Sequence, residues 1–329
     1  MKTFPSVDRG RRATLIAMLA AGAAPAAFAQ ADYPNRPIKF VVAQAAGSAG
    51  DALARLIGTR LADVLGQAVV VENRAGANGI IGVQSVAKAA PDGYTFVIGT
   101  TPNLAINAAL YKQLPYDPLT DISSVANVAK TYYTVLVPAS SPANSLKELI
   151  ALARSKPGQL TYGAGSTGAQ ANIEIFSAAA KIKMTHVPYK SSSQALLDIA
   201  GGRVDMIFDT PATAMPHVQS GKVKALAVTS LQRLPQYPNT PTVAETEIPG
   251  YEYASWVAIN GPGGLPAAIQ RRISTEVQKI LAQPDIAERF RTIGFEPVYA
   301  SPEQLSAMLR RDIDAYRKII RELGIPLLD

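Results

Sequence analysis

The sequence predicts an α/β protein in two parts, each a mostly parallel sheet flanked by helices. Three observations lead there. Short β-rich apolar runs alternate with stretches of helical periodicity between residues 38 and 99. The same alternation begins again at residue 134 and continues to residue 228. A chain of 329 residues, 48% hydrophobic and 17% charged, is long and apolar enough for two cores of ordinary size. A strand–helix–strand order requires a crossover connection, which leaves neighbouring strands parallel.

The elements follow in order. Residues 38–43, Ile-Lys-Phe-Val-Val-Ala, are the first strand. A Gly/Ser turn leads into a helix over 51–65, where Leu53, Ile57, Leu61, Val64 and Leu65 recur at helical spacing and Gly66 supplies the stop. Residues 69–72 are a strand, 81–89 a helix and 94–99 a third strand. In the second part, 134–137 is a strand, and Ser145 with Glu148 three residues later marks a capping box opening a helix over 145–154. Strands at 160–162, 185–187, 206–208 and 225–228 alternate with helices at 169–180 and 195–200. After Pro249-Gly250, a strand at 254–259 and helices at 269–281 and 303–323 close the chain.

The N-terminus reads as an export signal. Lys2, Arg9, Arg11 and Arg12 form a basic region, 13–24 is apolar but too short to anchor in a bilayer, and Ala27-Phe28-Ala29 has the pattern of a cleavage site. Cleavage is expected after Ala29, by either the Sec or the twin-arginine route, which places the mature chain in a bacterial periplasm and not embedded in a membrane. Residues 1–29 carry four bases and one acid, so their removal lowers the net charge from +7 to +4. The remaining basic residues, such as Arg55, Arg60, Arg271 and Lys318, are spread over helix faces without a nucleic-acid motif, so no nucleic-acid partner is expected. The absence of Cys excludes disulfides and thiol chemistry, and two His without metal spacing give no metal site.

Chemistry-bearing residues gather at two glycine-rich strand-to-helix turns. Gly163-Ala164-Gly165-Ser166-Thr167-Gly168 fits the dinucleotide pattern, but His186-Val187-Pro188-Tyr189-Lys190 offers no acid where a ribose would be held, so no cofactor is expected. The physical part of the motif remains: unpaired N–H groups at a helix N-terminus bind anions. The other turn, Ala43-Gln44-Ala45-Ala46-Gly47-Ser48-Ala49-Gly50-Asp51, has the same character, with Asp51 reading as a helix N-terminal residue. Ligands of open α/β sheets bind at the strand ends where such turns lie. No nucleophile elbow or H-E-x-x-H is present, and His186 and His217 read as a strand-end and a helix-surface residue.

An ordered series of fragments resembles the periplasmic solute-binding receptors of tripartite tricarboxylate transporters, the Bug receptors. They are Tyr33-Pro34, Arg36-Pro37-Ile38, Leu65-Gly66-Gln67, Val70-Val71-Glu72-Asn73-Arg74-Ala75-Gly76-Ala77 and Ala87-Lys88-Ala89-Ala90-Pro91-Asp92-Gly93-Tyr94. Leu114-Pro115-Tyr116-Asp117-Pro118, His186-Val187-Pro188-Tyr189-Lys190, Met206-Ile207-Phe208-Asp209 and Ala225-Leu226-Ala227-Val228-Thr229-Ser230 follow, then Pro241-Thr242-Val243-Ala244-Glu245 and Pro249-Gly250-Tyr251-Glu252.

The resemblance implies a two-domain clamshell, residues 32–130 with 251–329 as one domain and 131–250 as the other. It implies a monomeric receptor that closes over a small carboxylate and delivers it to membrane permease subunits, without catalysis. By the same resemblance the ligand meets Gln44, Ala45, Ala46, Gly47, Ser48, Ala49 and Gly50; Ser166, Thr167, Gly168 and Gln170; and Asp209 and Thr210. Asn78, Gly79, Thr101 and Asn103 join from the first domain. The first loop departs from the family's P-F-x-P-G-G-x-x-D: both prolines are missing, Gln44 replaces the aromatic residue, and Ser48 replaces a glycine. A different ligand, such as a longer or aromatic diacid, is therefore expected. A secreted enzyme acting on a small organic acid and a periplasmic sensor remain the alternatives.

Overall fold

The computed structural model describes residues 33–322 and 324–329, so the expected export signal and its cleavage site lie outside the described residues. Residues 36–329 form one compact unit. Within it the strands make two sheets.

In the six-stranded sheet, β1 (Ile38–Val42) lies between β2 (Val69–Asn73) and β3 (Thr95–Thr100), parallel to both. The intervening α1 (Ala49–Leu65) and α2 (Ile80–Ala87) are the crossover helices this pairing requires. Gly66, at φ 67°, ends α1 with its N–H on Ala62 O, as its position after the last periodic residue predicts. After β3 come a π-helical segment (Thr101–Ile106), the single turn α3 (Asn107–Leu110) and the long strand β4 (Ile122–Thr131).

Two residues beyond β4 the chain enters the five-stranded sheet at β5 (Thr134–Pro138). There α4 (Leu146–Ser155), β6 (Thr161–Ala164), α5 (Thr167–Ala179), β7 (Thr185–Pro188), α6 (Ser192–Ala200), β8 (Met206–Asp209), α7 (Pro211–Gln219) and β9 (Val223–Val228) follow in turn. A second crossing, through α8 (Val243–Thr246), returns the chain to the first sheet at β10 (Ser255–Pro262). It ends with α9 (Ala267–Leu281), α10 (Pro284–Thr292), β11 (Glu296–Ala300) and α11 (Pro302–Glu322).

The strand orders are β11-β4-β10-β3-β1-β2 and β7-β6-β8-β5-β9. Both sheets are mixed rather than mostly parallel. Parallel pairing is confined to β1 with β2 and β3, and to β6 with β7 and β8. Strands β4, β5, β9 and β10, which take the chain out of one sheet and into the other, arrive head-on and pair antiparallel.

Each sheet has its own core. Val41, Val83, Val97, Leu104, Ala258 and Leu305 pack in the first, and Val135, Leu149, Ile173, Phe176, Phe208 and Leu226 in the second. Each fully buried side chain of this kind contributes roughly 1.5–3 kcal/mol by leaving water. Tyr316 on α11 packs against both cores. Among the described residues no helix is long and apolar enough to cross a membrane.

Candidate functional site

The turn after β1 is held by its own side chains. Ser48 is the N-cap of α1, its Oγ accepting the Asp51 N–H, and its hydroxyl lies 3.3 Å from Gln44 Oε1. The Gln44 side chain folds back over the helix start, where any Cβ on residue 50 would strike its Oε1. Asp51 is buried at 5% exposure and accepts from Gly47 N–H (2.9 Å), Asn73 Nδ2 (3.1 Å) and Arg55 Nη2 (3.0 Å). Burial alone would raise its pKa, but Arg55, the Gly47 N–H and Asn73 outweigh it and hold the carboxylate below its ordinary range. Asn73 also donates to Gln44 O at 3.3 Å. This Asp51–Asn73 brace orders a loop that lacks the family's prolines. Ala45, Ala46 and Gly47 stay exposed at its tip, with Ala49 half-buried and Gly50 buried behind them.

The turn after β6 begins α5. Ser166 is its N-cap and accepts the Ala169 N–H at 3.2 Å, a bond that uses an oxygen lone pair and not the hydroxyl hydrogen. Thr167 is buried and donates its hydroxyl to Asn107 Oδ1 at 3.2 Å, so that hydrogen is spent inside the protein. A Cβ on Gly168 would lie 2.6 Å from Pro102 Cγ and 2.8 Å from Tyr133 OH, and Tyr253 OH donates to Gly168 O at 3.2 Å. Gln170 is half-buried on the first turn of the helix. A Cβ on Gly165 would collide with the backbone of Ser191 and Ser192, so the start of α6 abuts the same turn.

The first sheet supplies the facing loops. Gly79, at φ 86°, leaves room only for hydrogen: Asn103 Cβ and the Ala43 backbone lie 3.0 and 3.3 Å from where its Cβ would be. Asn78 gives its carbonyl to Asn107 Nδ2 at 3.0 Å and donates from Nδ2 to Tyr111 OH at 2.8 Å. Thr101 and Asn103 are buried and spend their side chains on backbone, Thr101 Oγ1 accepting from Trp256 N–H and Asn103 Oδ1 from Thr100 N–H. They shape the π-helical segment rather than offer those groups outward.

Asp209 ends β8, 4% exposed, its Oδ1 accepting from Thr210 N–H and Thr213 Oγ1, both at 2.7 Å. Burial pushes its pKa up to about 6, against the pull of Thr213, the Thr210 N–H and Ser192. Thr210, half-buried, precedes α7 and shares a hydroxyl contact with Thr213 at 2.8 Å. Burial, with the Asp209 charge nearby, raises the pKa of Tyr133 and keeps its phenol a neutral hydroxyl.

These residues form one connected cluster. Ala43 meets Gly79, Gly79 meets Asn103, and Asn78 reaches Thr167 through Asn107. On the other side Ser192 links Gly165 to Asp209. Among the described residues no hydrogen bond joins Gln44–Gly50 directly to Ser166–Gln170; Asn78, Gly79 and Asn107 lie between them. Asn107, Ser192 and Tyr133 escaped the sequence reading. The signal for Asn107 was available: a lone amide in the apolar run Leu104-Ala105-Ile106-Asn107-Ala108-Ala109-Leu110 has to find buried partners.

The rest of the molecule offers less. A cleft of about 680 Å³ lies behind the two crossing segments, lined in part by Lys130, Tyr132, Arg233 and Glu252. Its polar groups are largely occupied: Lys130 pairs with Glu296, Tyr132 with Glu252, and Arg233 with Glu245. His186 stacks on Tyr162 within β7, and His217 sits in the last turn of α7. Among the described residues no cluster of three or more His, Asp or Glu could hold a metal ion.

Two mixed sheets flanked by helices, joined by two crossings and meeting through glycine turns at helix N-termini, define a periplasmic binding-protein fold. The model of the tripartite tricarboxylate transporter family receptor matches residues 53–325, and the chain belongs to that family. An R. palustris protein, Rpa4515, solved with adipate, is 36% identical and superposes with a TM-score of 0.84, covering 90% of this chain and 100% of its own. The periplasmic binding protein BugD is 31% identical with a TM-score of 0.81, over 90% of this chain and 100% of that one. MatC from Rhodopseudomonas palustris, with bound malate, is 29% identical with a TM-score of 0.79, over 88% of this chain and 100% of that one.

Proposed function

We propose that this protein is a periplasmic receptor that takes up a small dicarboxylate between its two halves and passes it, chemically unchanged, to a tripartite tricarboxylate-type membrane transporter. The observation that carries this reading is the meeting of α5's N-terminus with the loops of the first sheet through Thr167, Asn107 and Asn78. The α5 start with its Ser166 cap, the Asn78-Gly79 loop joined to it through Asn107, and Gly79 packed on Ala43 at the head of the Gln44–Gly50 turn support a single donor-lined site. Charge-assisted hydrogen bonds from such groups contribute roughly 1.5–3 kcal/mol each to holding a carboxylate. Adipate with Rpa4515 and malate with MatC support the diacid class.

In this reading the two domains are residues 32–130 with 251–329, and residues 131–250, and the protein works as a monomer. Gln44–Gly50 and Ser166–Gly168 hold the carboxylates, Asn78, Gly79 and Gln170 line the space between, and Thr101 and Asn103 shape its floor. Asp209 and Thr210 accept from hydroxyl or protonated groups of the ligand. Closure is a hinge motion of one domain on the other.

The test is a thermal-shift and calorimetry panel of mono-, di- and aromatic carboxylates beside neutral amides and sugars. A ligand at 100 times its Kd stabilises by about 2.7 kcal/mol. Dicarboxylates, adipate first, are expected to shift the melting. A shift by sugars or amides and by no carboxylate overturns the reading.

A further inference from the structure

The core around α3 contains an amide that packing does not ask for. Asn107 is fully buried, beside Ile106, Ala109 and Leu110 in an apolar cluster. A buried amide is costly unless both ends are bonded, and both are. The orientation follows from the partners: the Asn78 carbonyl only accepts, so Nδ2 faces it at 3.0 Å, and Oδ1 faces Thr167, whose hydroxyl donates at 3.2 Å. Those partners belong to different halves. Asn78 is in the loop before α2 of the first sheet, and Thr167 is the first residue of α5 in the second.

Asn78 also holds a left-handed backbone, φ 53°, which Asn adopts more readily than most L-residues and which its partners hold in place here. Two side-chain bonds fix it here, one from Asn107 and one to Tyr111. Next to Thr167, Gly168 lies so close to Pro102 of the first half, 2.6 Å from Cγ to where a Cβ would stand, that the Thr167–Asn107 bond forms only with the halves pressed together. Separation of the halves takes Thr167 away and leaves Asn107 Oδ1 without its partner, with Nδ2 held only by the Asn78 carbonyl and the Tyr116 phenol. With its Oδ1 anchor gone the amide competes between Tyr116 and Asn78, and the brace on Asn78 loosens.

We propose that Asn107 is a positioning residue that couples the conformation of the Asn78–Gly79 loop to the apposition of the two halves, so that closing the protein and ordering this loop are one event. The inference rests on the receptor reading for its purpose, and the geometry stands without it. It also alters the role of Thr167, which serves the latch with its hydroxyl and a ligand only with its N–H.

The chain has no Cys, so Val70→Cys on β2 and Leu197→Cys on α6, both exposed, take spin labels on the two halves without background. Pulsed EPR on the ligand-free protein then reads their separation. Thr167→Val, which keeps shape and removes the hydroxyl, is expected to shift the distribution to longer distances. Asn107→Ala is expected to do the same, the double variant no more than either single one, and Thr167→Ser to rescue the short distance. The Kd for adipate is expected to rise about tenfold in each single variant and no further in the double. Should Asn107→Ala fail to fold, the Thr167→Val and Thr167→Ser pair decides alone. Unchanged distances, or effects of the two substitutions that multiply, overturn the latch. If distances shift but no carboxylate binds the parent, the receptor reading fails and the latch stands; if adipate binds and Thr167→Val changes neither distance nor Kd, the reverse holds.

Discussion

Replacing Gly168 with Ala puts one methyl group into the seam between the halves. Gly168 is the second residue of α5 and lies outside the left-handed region, so Ala fits the backbone there and favours the helix, by up to about 1 kcal/mol. The new Cβ, however, would stand 2.6 Å from Pro102 Cγ and 2.8 Å from Tyr133 OH, where carbon contacts need roughly 3.5–4.0 Å. Neither neighbour yields easily. Pro102 is a ring within the π-helical segment, and Tyr133 is buried with its ring edge-on to Tyr253 at 5.7 Å. Overpacking of this kind costs about 1–3 kcal/mol; opening the seam relieves the Pro102 part of it, while Tyr133, in the same half as Gly168, stays in contact. That is a penalty of roughly 5- to 150-fold on the apposed arrangement. If that arrangement is the one that binds, the apparent Kd rises by up to the same factor, while the clash with Tyr133 within the same half offsets the helix gain in melting temperature. Calorimetry with adipate, alongside small-angle scattering for the opening, measures both. A Gly168→Ala protein with Kd within about twofold of the parent and unchanged dimensions would show that this contact does not limit closure.

Other substitutions separate holding from folding. Ser166→Ala removes the α5 cap and is expected to lower stability by about 1 kcal/mol in urea, and to weaken carboxylate binding by more than that loss explains; equal losses would make Ser166 a cap only. Asp209, pushed by burial to about 6 in the fold from the ordinary 3.8, keeps a proton that the unfolded chain has already lost between those values. Stability therefore falls as pH rises from about 4 to about 6, by about 3 kcal/mol, and Asp209→Asn, which keeps the acceptor for Thr210 and Thr213, is expected to flatten that slope in urea midpoints taken at pH 4 and pH 7. An undiminished slope refutes the assignment. Asp51 has the opposite sign: its lowered pKa stabilises above the unfolded value and that contribution is lost as pH falls through the folded one. Asp51→Asn should remove this acid sensitivity and speed hydrogen exchange at Gly47, whose N–H it holds.

What the sequence made legible depended on how far each cause reaches along the chain. The β1–α1–β2–α2–β3 unit declares itself because its periodicity and its stop at Gly66 are local. β4 did not, because Ser123, Ser124, Ala126, Asn127 and Ala129 neither alternate nor favour strands; the strand is almost wholly buried in the middle of a sheet, where side-chain size is set by what packs on it. α7 was hidden by Pro211 and Pro216, although Pro211 stands at the helix start, where a missing N–H costs nothing. The predicted capping box forms in one direction: Ser145 Oγ accepts the Glu148 N–H, but Glu148 returns its bond to Asn144 N–H at 2.7 Å.

The candidate site divides the same way. Two glycine turns at helix starts could be read directly from the sequence, since donors at a helix N-terminus follow from local backbone geometry alone. Which of those donors are still free could not, because the group that consumes the Thr167 hydroxyl is Asn107, 60 residues earlier, and the carboxylate that consumes the Gly47 N–H is itself fixed by Asn73, 22 residues on from Asp51. A local motif therefore gives the chemistry a site can do, and only the packing of distant segments decides which atoms remain to do it. In this protein that selection spends the Thr167 hydroxyl on Asn107 of the opposite half and spends only a lone pair of Ser166 on its own helix, so two adjacent residues of one motif differ in what they can still offer a ligand in the proposed site.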